Sequence, residues 1–330
     1  MVNLILHASD HYLKPILNNN EIPLSSLEVL GQSLLVRNIS TLIDKVRDID
    51  TISISNNELY FTISRLIQKD FPSIAVKESE SSKYGSYDYN SKIEGNEINT
   101  TKDILIDDIK NKDNIIIPIN SLVYYGNDKD AFTIQPIIYP WDFLNAVKRI
   151  LQNEVTQTVI SPTASISKTS VIDGPCIIED GAVIDDFCKI KGPTYIGKDC
   201  LIGMNSLIRG SMVGKETRIG FNCEIAKSFL AGHDRISHLN LIMDTIIGDN
   251  VWFGGYSGTS NTTVTAKNIM YEIDNGKTVD TGTDHFGAVI GNNCTIGTNV
   301  MILPGRNVPS TSIIKDDMIY ANKSQASRRT

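Results

Sequence analysis

From Ile160 onward a branched aliphatic residue returns at every sixth position: Ile160, Ile166, Ile172, Ile178, Ile184, Ile190, Ile196, Ile202 and Ile208. After one five-residue step the register resumes at Val213, Ile219 and Ile225, and it reappears at Ile290, Ile296, Ile302, Val308 and Ile314. A period of six fits neither the turn of an α-helix nor the alternation of a single strand, so it marks a structural repeat. Three hexads close one triangular coil, with the aliphatic side chains stacked inside and successive coils about 4.8 Å apart, the spacing of paired strands. Corners such as Gly197-Lys198-Asp199 and Gly291-Asn292-Asn293 supply residue types that tolerate positive φ. The expected fold of this half is a parallel β-helix.

The repeat starts near the middle of the 330 residues, which suggests two domains, 1–153 and 154–330. In the first, strands are expected at Val2–Ala8, Thr51–Ser55 and Ile115–Pro118, and helices at Glu58–Gln68 and Trp141–Gln152. Leu27–Ile43 has strand-to-helix spacing, with Gly31 as the turn and Leu34, Leu35, Ile39 and Leu42 on one face, and 78–99 is a polar loop. Alternating strands and helices predict a parallel α/β sheet. A net charge of −7 argues against a nucleic-acid surface, and no apolar run reaches membrane-spanning length, so a soluble cytoplasmic protein is expected. Cys176, Cys188, Cys200, Cys223 and Cys294 each sit four residues after an aliphatic position, at spacings that keep them from stacking. They are expected to be buried thiols.

The repeat resembles the left-handed parallel β-helix of the hexapeptide-repeat acyltransferases; the left hand is part of that resemblance, because the general crossover rule gives the opposite hand. Between Ile225 and Ile290 the hexad register fails around 226–245 and again over 254–289, and His233, His238 and His285 fall there. Irregular loops on a solenoid tend to carry function. Ser237-His238-Leu239-Asn240-Leu241-Ile242-Met243-Asp244, with Ile247-Gly248-Asp249-Asn250-Val251 after it, is similar to the acetyltransfer segment of one bifunctional family. That family comprises the N-acetylglucosamine-1-phosphate uridylyltransferase/glucosamine-1-phosphate acetyltransferases, archaeal members included. Gly254-Gly255-Tyr256-Ser257-Gly258-Thr259-Ser260-Asn261, Lys267, Thr281-Gly282 and Leu303-Pro304-Gly305 continue the match.

The resemblance implies acetyl transfer from acetyl-CoA to an amino-sugar phosphate or a related nucleotide sugar, without a covalent enzyme intermediate. His238 would be the general base, suited by the near-neutral reference pKa of imidazole. Asn261 and Lys267 would orient the sugar or the oxyanion. The acyl carrier would run past Gly255 and Thr298, with Lys323, Arg328 and Arg329 of the tail either reaching its phosphates or simply solvated. A homotrimer is implied, with His238 near a coil of the adjacent chain. From spacing alone, Arg209 and Lys227 are separated by three hexads, one full coil, and would lie one above the other on adjacent coils. Such a pair is either a phosphate clamp or a solvated basic ladder. Leu241, Trp252, Thr262 and Thr283-Asp284-His285-Phe286 depart from the family pattern and leave the sugar open.

Leu30-Gly31-Gln32-Ser33-Leu34-Leu35 and Tyr139-Pro140-Trp141-Asp142-Phe143-Leu144 look like parts of a shortened sugar-1-phosphate nucleotidyltransferase domain. Active members carry a Gly-rich basic loop and Mg²⁺-holding aspartates. Ala8-Ser9-Asp10-His11-Tyr12-Leu13-Lys14 has no glycine, and Ile115-Ile116-Ile117-Pro118-Ile119-Asn120 has no aspartate. The first half therefore reads as a degenerate binding or packing domain; Mg²⁺ enters only if nucleotidyl transfer is kept, with Asp10 at the metal and Lys14 at a phosphate. A non-catalytic sugar-nucleotide-binding or regulatory homologue is a further alternative. The five-residue spacing of His233 and His238 also resembles the histidine pair of the γ-class carbonic anhydrases. A catalytic zinc needs a third ligand, for which only His285 stands nearby, so no metal is assigned.

Overall fold

The computed structural model describes residues 2–7, 27–45, 49–54, 57–78, 102–105, 114–118, 121–125, 131–272, 278–321 and 327–328. The loop Ala8–Lys14, the polar stretch beyond Glu78, Asn120, and Lys323 and Arg329 of the tail lie outside these residues. The chain forms two compact units, one of 1–13, 19–27 and 32–139, the other of 14–18, 28–31 and 140–330.

The first unit contains a four-stranded parallel sheet in the order Ala75–Glu78, Ile49–Ile54, Val2–His7, Asn114–Pro118. Helices α1 (Leu34–Lys45) and α2 (Asn57–Asp70) cover it. Leu35, Ile39 and Leu42 of α1 and Ile63 and Ile67 of α2 recur at helical spacing and bury against Leu4, Leu6, Ile52 and Ile54. Three antiparallel strands that the sequence reading omits, Lys102–Leu105, Ala131–Pro136 and Ser121–Tyr125, form a second small sheet. Buried Asn38 ties α1 to it: Nδ2 donates to the Ser121 carbonyl at 2.7 Å, and Oδ1 accepts the Val123 amide at 2.9 Å.

The second unit begins with helix α3 (Pro140–Glu154) and continues as a three-sided prism of the left-handed hexapeptide type. Within each coil the chain runs along a first, a second and a third face; we number the edges by the face they leave. Six of the nine isoleucines, from Ile178 to Ile208, and their continuation form one buried core from Cys176 to Tyr320, with Ile166 and Ile172 partly buried against it and Ile160 exposed. At the base of the prism a coil is three full hexads, so that Ile190 pairs with Ile208. From there to coil six each coil is shorter by a single position: Ile208 pairs with Ile225, Ile219 with Ile236, and Ile242 with Thr259. The residue is lost at the third edge.

This corrects the sequence reading in one respect. The stretch 226–245 is not a break but a regular coil with a short third edge, its core continued by Leu230, Ile236 and Ile242. His233 and His238 therefore stand at ordinary corners. Among the described residues the one long interruption lies before Ala288, and the chain returns from it to pair Ile290 directly with Ile247. This insertion carries an antiparallel hairpin, Met270–Glu272 with Thr278–Asp280. Trp141 of α3 meets Tyr271 and Phe286 of the insertion edge-on at 5.6 and 5.9 Å, and Phe143 meets Phe229 of the first face at 4.9 Å.

The corners work as the residue types suggest, with additions. Positive φ falls on Asp199, Asn250 and Asn293, but also on Glu216, His233, Leu239 and Tyr256. Each of those four donates its amide to the coil before it, to the carbonyls of Lys198, Lys215, Phe221 and His238 at 2.8 to 3.1 Å, which offsets the strained backbone. The small slot at the end of the corner holds the cysteines. All five are free and buried, and burial pushes the thiols up, Cys200 to about 12 and Cys176 and Cys294 to about 11, which makes them poor nucleophiles.

The same slot on coil five holds Asp234, fully buried, with Oδ1 accepting the Val251 amide at 2.8 Å. Burial holds this carboxyl well above the usual carboxylate range. Its folded value exceeds its unfolded one, so it removes stability as pH rises above the ordinary carboxylate value. Asp234→Asn is accordingly expected to gain stability relative to the parent chain between pH 4 and pH 7, read as urea midpoints; a gap constant with pH would contradict this.

Candidate functional site

The second edge stacks Met204, Phe221, His238, Gly255 and Thr298 on successive coils, locked by the amides of Asn222, Leu239, Tyr256 and Asn299 on the carbonyls below. His238 is exposed. Its ring lies on that of Phe221, centroids 4.5 Å apart and planes at 28°, and Nδ1 accepts the Phe221 amide at 3.2 Å. With Nδ1 an acceptor, the neutral ring carries its proton on Nε2. This approach needs Gly220, because a Cβ there would lie 2.4 Å from Nδ1. The backbone of His238 is fixed by buried Asn240, whose Nδ2 donates to the carbonyls of His238 at 3.2 Å and Gly254 at 3.1 Å. Its Oδ1 accepts the Ser257 amide at 3.0 Å. On the side away from Phe221, Gly255 presents no side chain and Thr298 a small one, so the edge beside the imidazole is bare.

The third edge holds a different set. Because the coil is one position short there, Arg209 pairs with Ala226, and Lys227 stands next along the chain. The vertical Arg209–Lys227 stack expected from spacing therefore does not form. Instead Arg209 gives both Nε and a terminal nitrogen to Glu224 Oε1 at 2.8 Å, while Lys227 is exposed. Asn261 is buried and donates to Asp244 Oδ2 at 2.7 Å; Oδ1 of the same carboxylate receives Lys148 of α3 at 2.9 Å. Asn261 thus braces the root of the insertion. Lys267 is exposed on the insertion, and His285 bonds its neighbour Asp284 at 2.7 Å.

His233 is on the first edge, with Nδ1 2.6 Å from Asp249 and Nε2 3.6 Å from Glu216. Among the described residues no three His, Cys, Asp or Glu side chains are gathered as metal ligands. The structure thus brings His238, Gly255 and Thr298 into one column and leaves Arg209, Lys227, Asn261 and Lys267 on another edge and its insertion. Gly220, Phe221 and Asn240 escaped the sequence reading. Their signal was the corner Gly220-Phe221-Asn222-Cys223, one coil before His238, and an amide side chain at Asn240 in a slot that holds Ser206, Cys223 and Ser257 on neighbouring coils of this edge.

A family model described as the GMPPB C-terminal domain matches residues 154–234, and one for the hexapeptide repeat of succinyl-transferase matches 279–305. The bifunctional protein GlmU of Methanococcus aeolicus is 31% identical over 184 residues, 56% of this chain and 43% of that protein. A bifunctional sugar-1-phosphate nucleotidylyltransferase/acetyltransferase of Sulfurisphaera tokodaii is 32% identical over 167 residues, 50% of this chain and 41% of that one. The matched part thus spans less than half the length of these relatives. Similar solved structures include PerB of Caulobacter crescentus with CoA and GDP-perosamine, at TM-score 0.24, 11% identity, and 53% and 58% coverage of the two chains. Another is the acetyltransferase domain of PglB from Neisseria gonorrhoeae, at TM-score 0.27, 8% identity, and 99% coverage of each. Those superpositions are too loose to transfer any detail of a site. No helix among the described residues is long and apolar enough to cross a membrane.

The ring stack has a direct signature. The His238 ring protons are expected upfield of ordinary histidine in proton NMR, and Phe221→Leu should return them toward ordinary values; unshifted resonances in the parent chain would contradict the stack.

Proposed function

We propose that this chain is an acyl-CoA-dependent N-acyltransferase, with acetyl-CoA as co-substrate and the amine of an amino-sugar phosphate or nucleotide-linked amino sugar as acceptor. The observation that carries the reading is the column on the second edge: an exposed imidazole, backed by Phe221 and Asn240, beside the side-chain-free position Gly255 and the small Thr298. Similarity to the GlmU-type relatives supports the same chemistry. The amine nitrogen would attack the thioester carbonyl, the C–S bond would break, and the thiolate would leave to become the thiol of CoA. The proton given up by the amine would pass to His238 as general base and from it to the departing thiolate.

A homotrimer belongs to this proposal. In it the third edge of one copy would face the second edge of the next, bringing exposed Lys227 and Lys267 toward the neighbour's His238, and the acceptor's phosphate would lie between them.

One observation favours a second role for the same residue. As it lies, His238 offers a proton on Nε2, because the Phe221 amide occupies Nδ1. In that role it would donate to the thioester oxygen as negative charge develops. To act as base, the ring must instead turn off the Phe221 amide and present Nδ1.

The test is CoA release from acetyl-CoA with glucosamine 1-phosphate and with nucleotide-linked amino sugars. Turnover is expected with at least one acceptor, and His238→Ala should reduce kcat/KM by roughly 10²- to 10⁴-fold. His238→Gln separates the roles, since its amide keeps a donor but cannot take up the proton: a loss equal to that of alanine supports the base, and retention of most of the rate supports the donor. No CoA release with any acceptor, or full activity in His238→Ala, would overturn the reading.

A further inference from the structure

We propose a second small-molecule site, on the second face beside the first edge, that binds the phosphate of a phosphorylated sugar or similar polyol through Arg218 and Arg235. The proposal is independent of the acyl-transfer reading. The two arginines are direct register partners on adjacent coils, and both are exposed. They are a vertically stacked cation pair created by the short coil, which Arg209 and Lys227 at their three-hexad spacing are not.

Four other cations of this unit have carboxylate partners: Lys148 with Asp244, Lys189 with Asp173, Arg209 with Glu224 and Lys215 with Glu28. Arg218 and Arg235 have none within ion-pair distance among the described residues. Like charges directly opposite each other on a sheet are unfavourable. An oxyanion between two guanidinium groups reverses that cost and can be held by paired N–H donors from each.

The surroundings specify more than an anion. Arg218 and Arg235 share a cavity of about 310 Å³ with Asp199, Glu216, His233 and Asn250. Those four are successive corner residues of the first edge, all at positive φ, so their side chains rise in one row beside the arginine pair. His233 is held in the row by Asp249 at 2.6 Å. The cavity is therefore cationic on one side and rich in hydrogen-bond acceptors on the other. Carboxylate and amide oxygens accept from hydroxyl groups, and they repel a second anionic group. A ligand with one phosphate end and one hydroxyl-bearing end satisfies both sides, and the volume exceeds what phosphate alone fills.

The test is isothermal titration of the full chain with glucose 1-phosphate and with glucose. The parent chain is expected to bind glucose 1-phosphate and not glucose. Arg218→Gln/Arg235→Gln should weaken that binding by about tenfold or more, whereas Lys168→Gln, at an exposed lysine on the first coil, should leave it unchanged. Both positions are exposed, so the melting temperature should hold, and Arg218→Lys/Arg235→Lys, which keeps the charge, should retain part of the affinity. The proposal is overturned if the parent chain does not bind glucose 1-phosphate or if the double glutamine variant binds it equally well. It is also overturned if that variant changes only the sedimentation coefficient, which would make the pair a contact between copies.

Discussion

The structure of the second unit depends on the register in which its coils stack. Each coil contributes one inward side chain per face, in most cases aliphatic, with Phe253, Thr259 and Tyr320 as exceptions, and neighbouring coils are joined by parallel backbone hydrogen bonds. A slip of one residue would turn those aliphatic chains to solvent and bring their polar neighbours inward. The register is thus fixed by burial at every level, and outward-facing groups inherit it. Which side chains share a column on an edge is decided by the core, not by the groups themselves.

That inheritance gives the three edges different characters. The second carries Phe221, His238 and the bare positions above them, an apolar edge with one imidazole. The first carries a row of polar corner residues beside two arginines that form no ion pair among the described residues. The third is where the coil shortens and where the insertion leaves and returns. There Asp244 receives both Lys148 of α3 and Asn261 of the insertion, and Trp141 of the same helix packs edge-on with Tyr271 and Phe286 of the insertion. A chemical group placed on such a corner is held by a hydrogen-bonded ladder on both sides, the kind of rigid support a site needs.

Much of this was legible in the sequence, because a hexad of isoleucines constrains the fold more tightly than any propensity. The parallel α/β character of the first unit also followed from α1, α2 and their flanking strands. Its antiparallel strands were passed over: Ser121–Tyr125 lacks the alternation that marks a half-buried strand, whereas Phe132-Thr133-Ile134-Gln135 of Ala131–Pro136 does alternate and could have been read. The register past Ile208 misled for a physical reason. A hexad count cannot tell a lost corner residue from an interruption, since both break the period, and only pairing distinguishes them. His238, Gly255 and Thr298 were chosen by family resemblance, and the structure sets them in one column at one corner position, whereas Arg209 and Lys227 were set on each other by a coil length that no longer holds there. Asn261 was read as a substrate contact, and its burial against Asp244 could not be foreseen from spacing.

The claim on which both proposed sites rest is the shortened register of the middle coils, which sets Arg218 beside Arg235. Nitroxide labels on Arg218→Cys/Arg235→Cys probe it directly, since the buried native thiols should not label. Stacked positions about 4.8 Å apart place the two spins in strong contact. The account requires a spectrum broadened by spin–spin coupling in the folded chain that sharpens on denaturation. A spectrum equal to the sum of the two single-label variants would mean that the two positions do not face each other, and it would contradict the register.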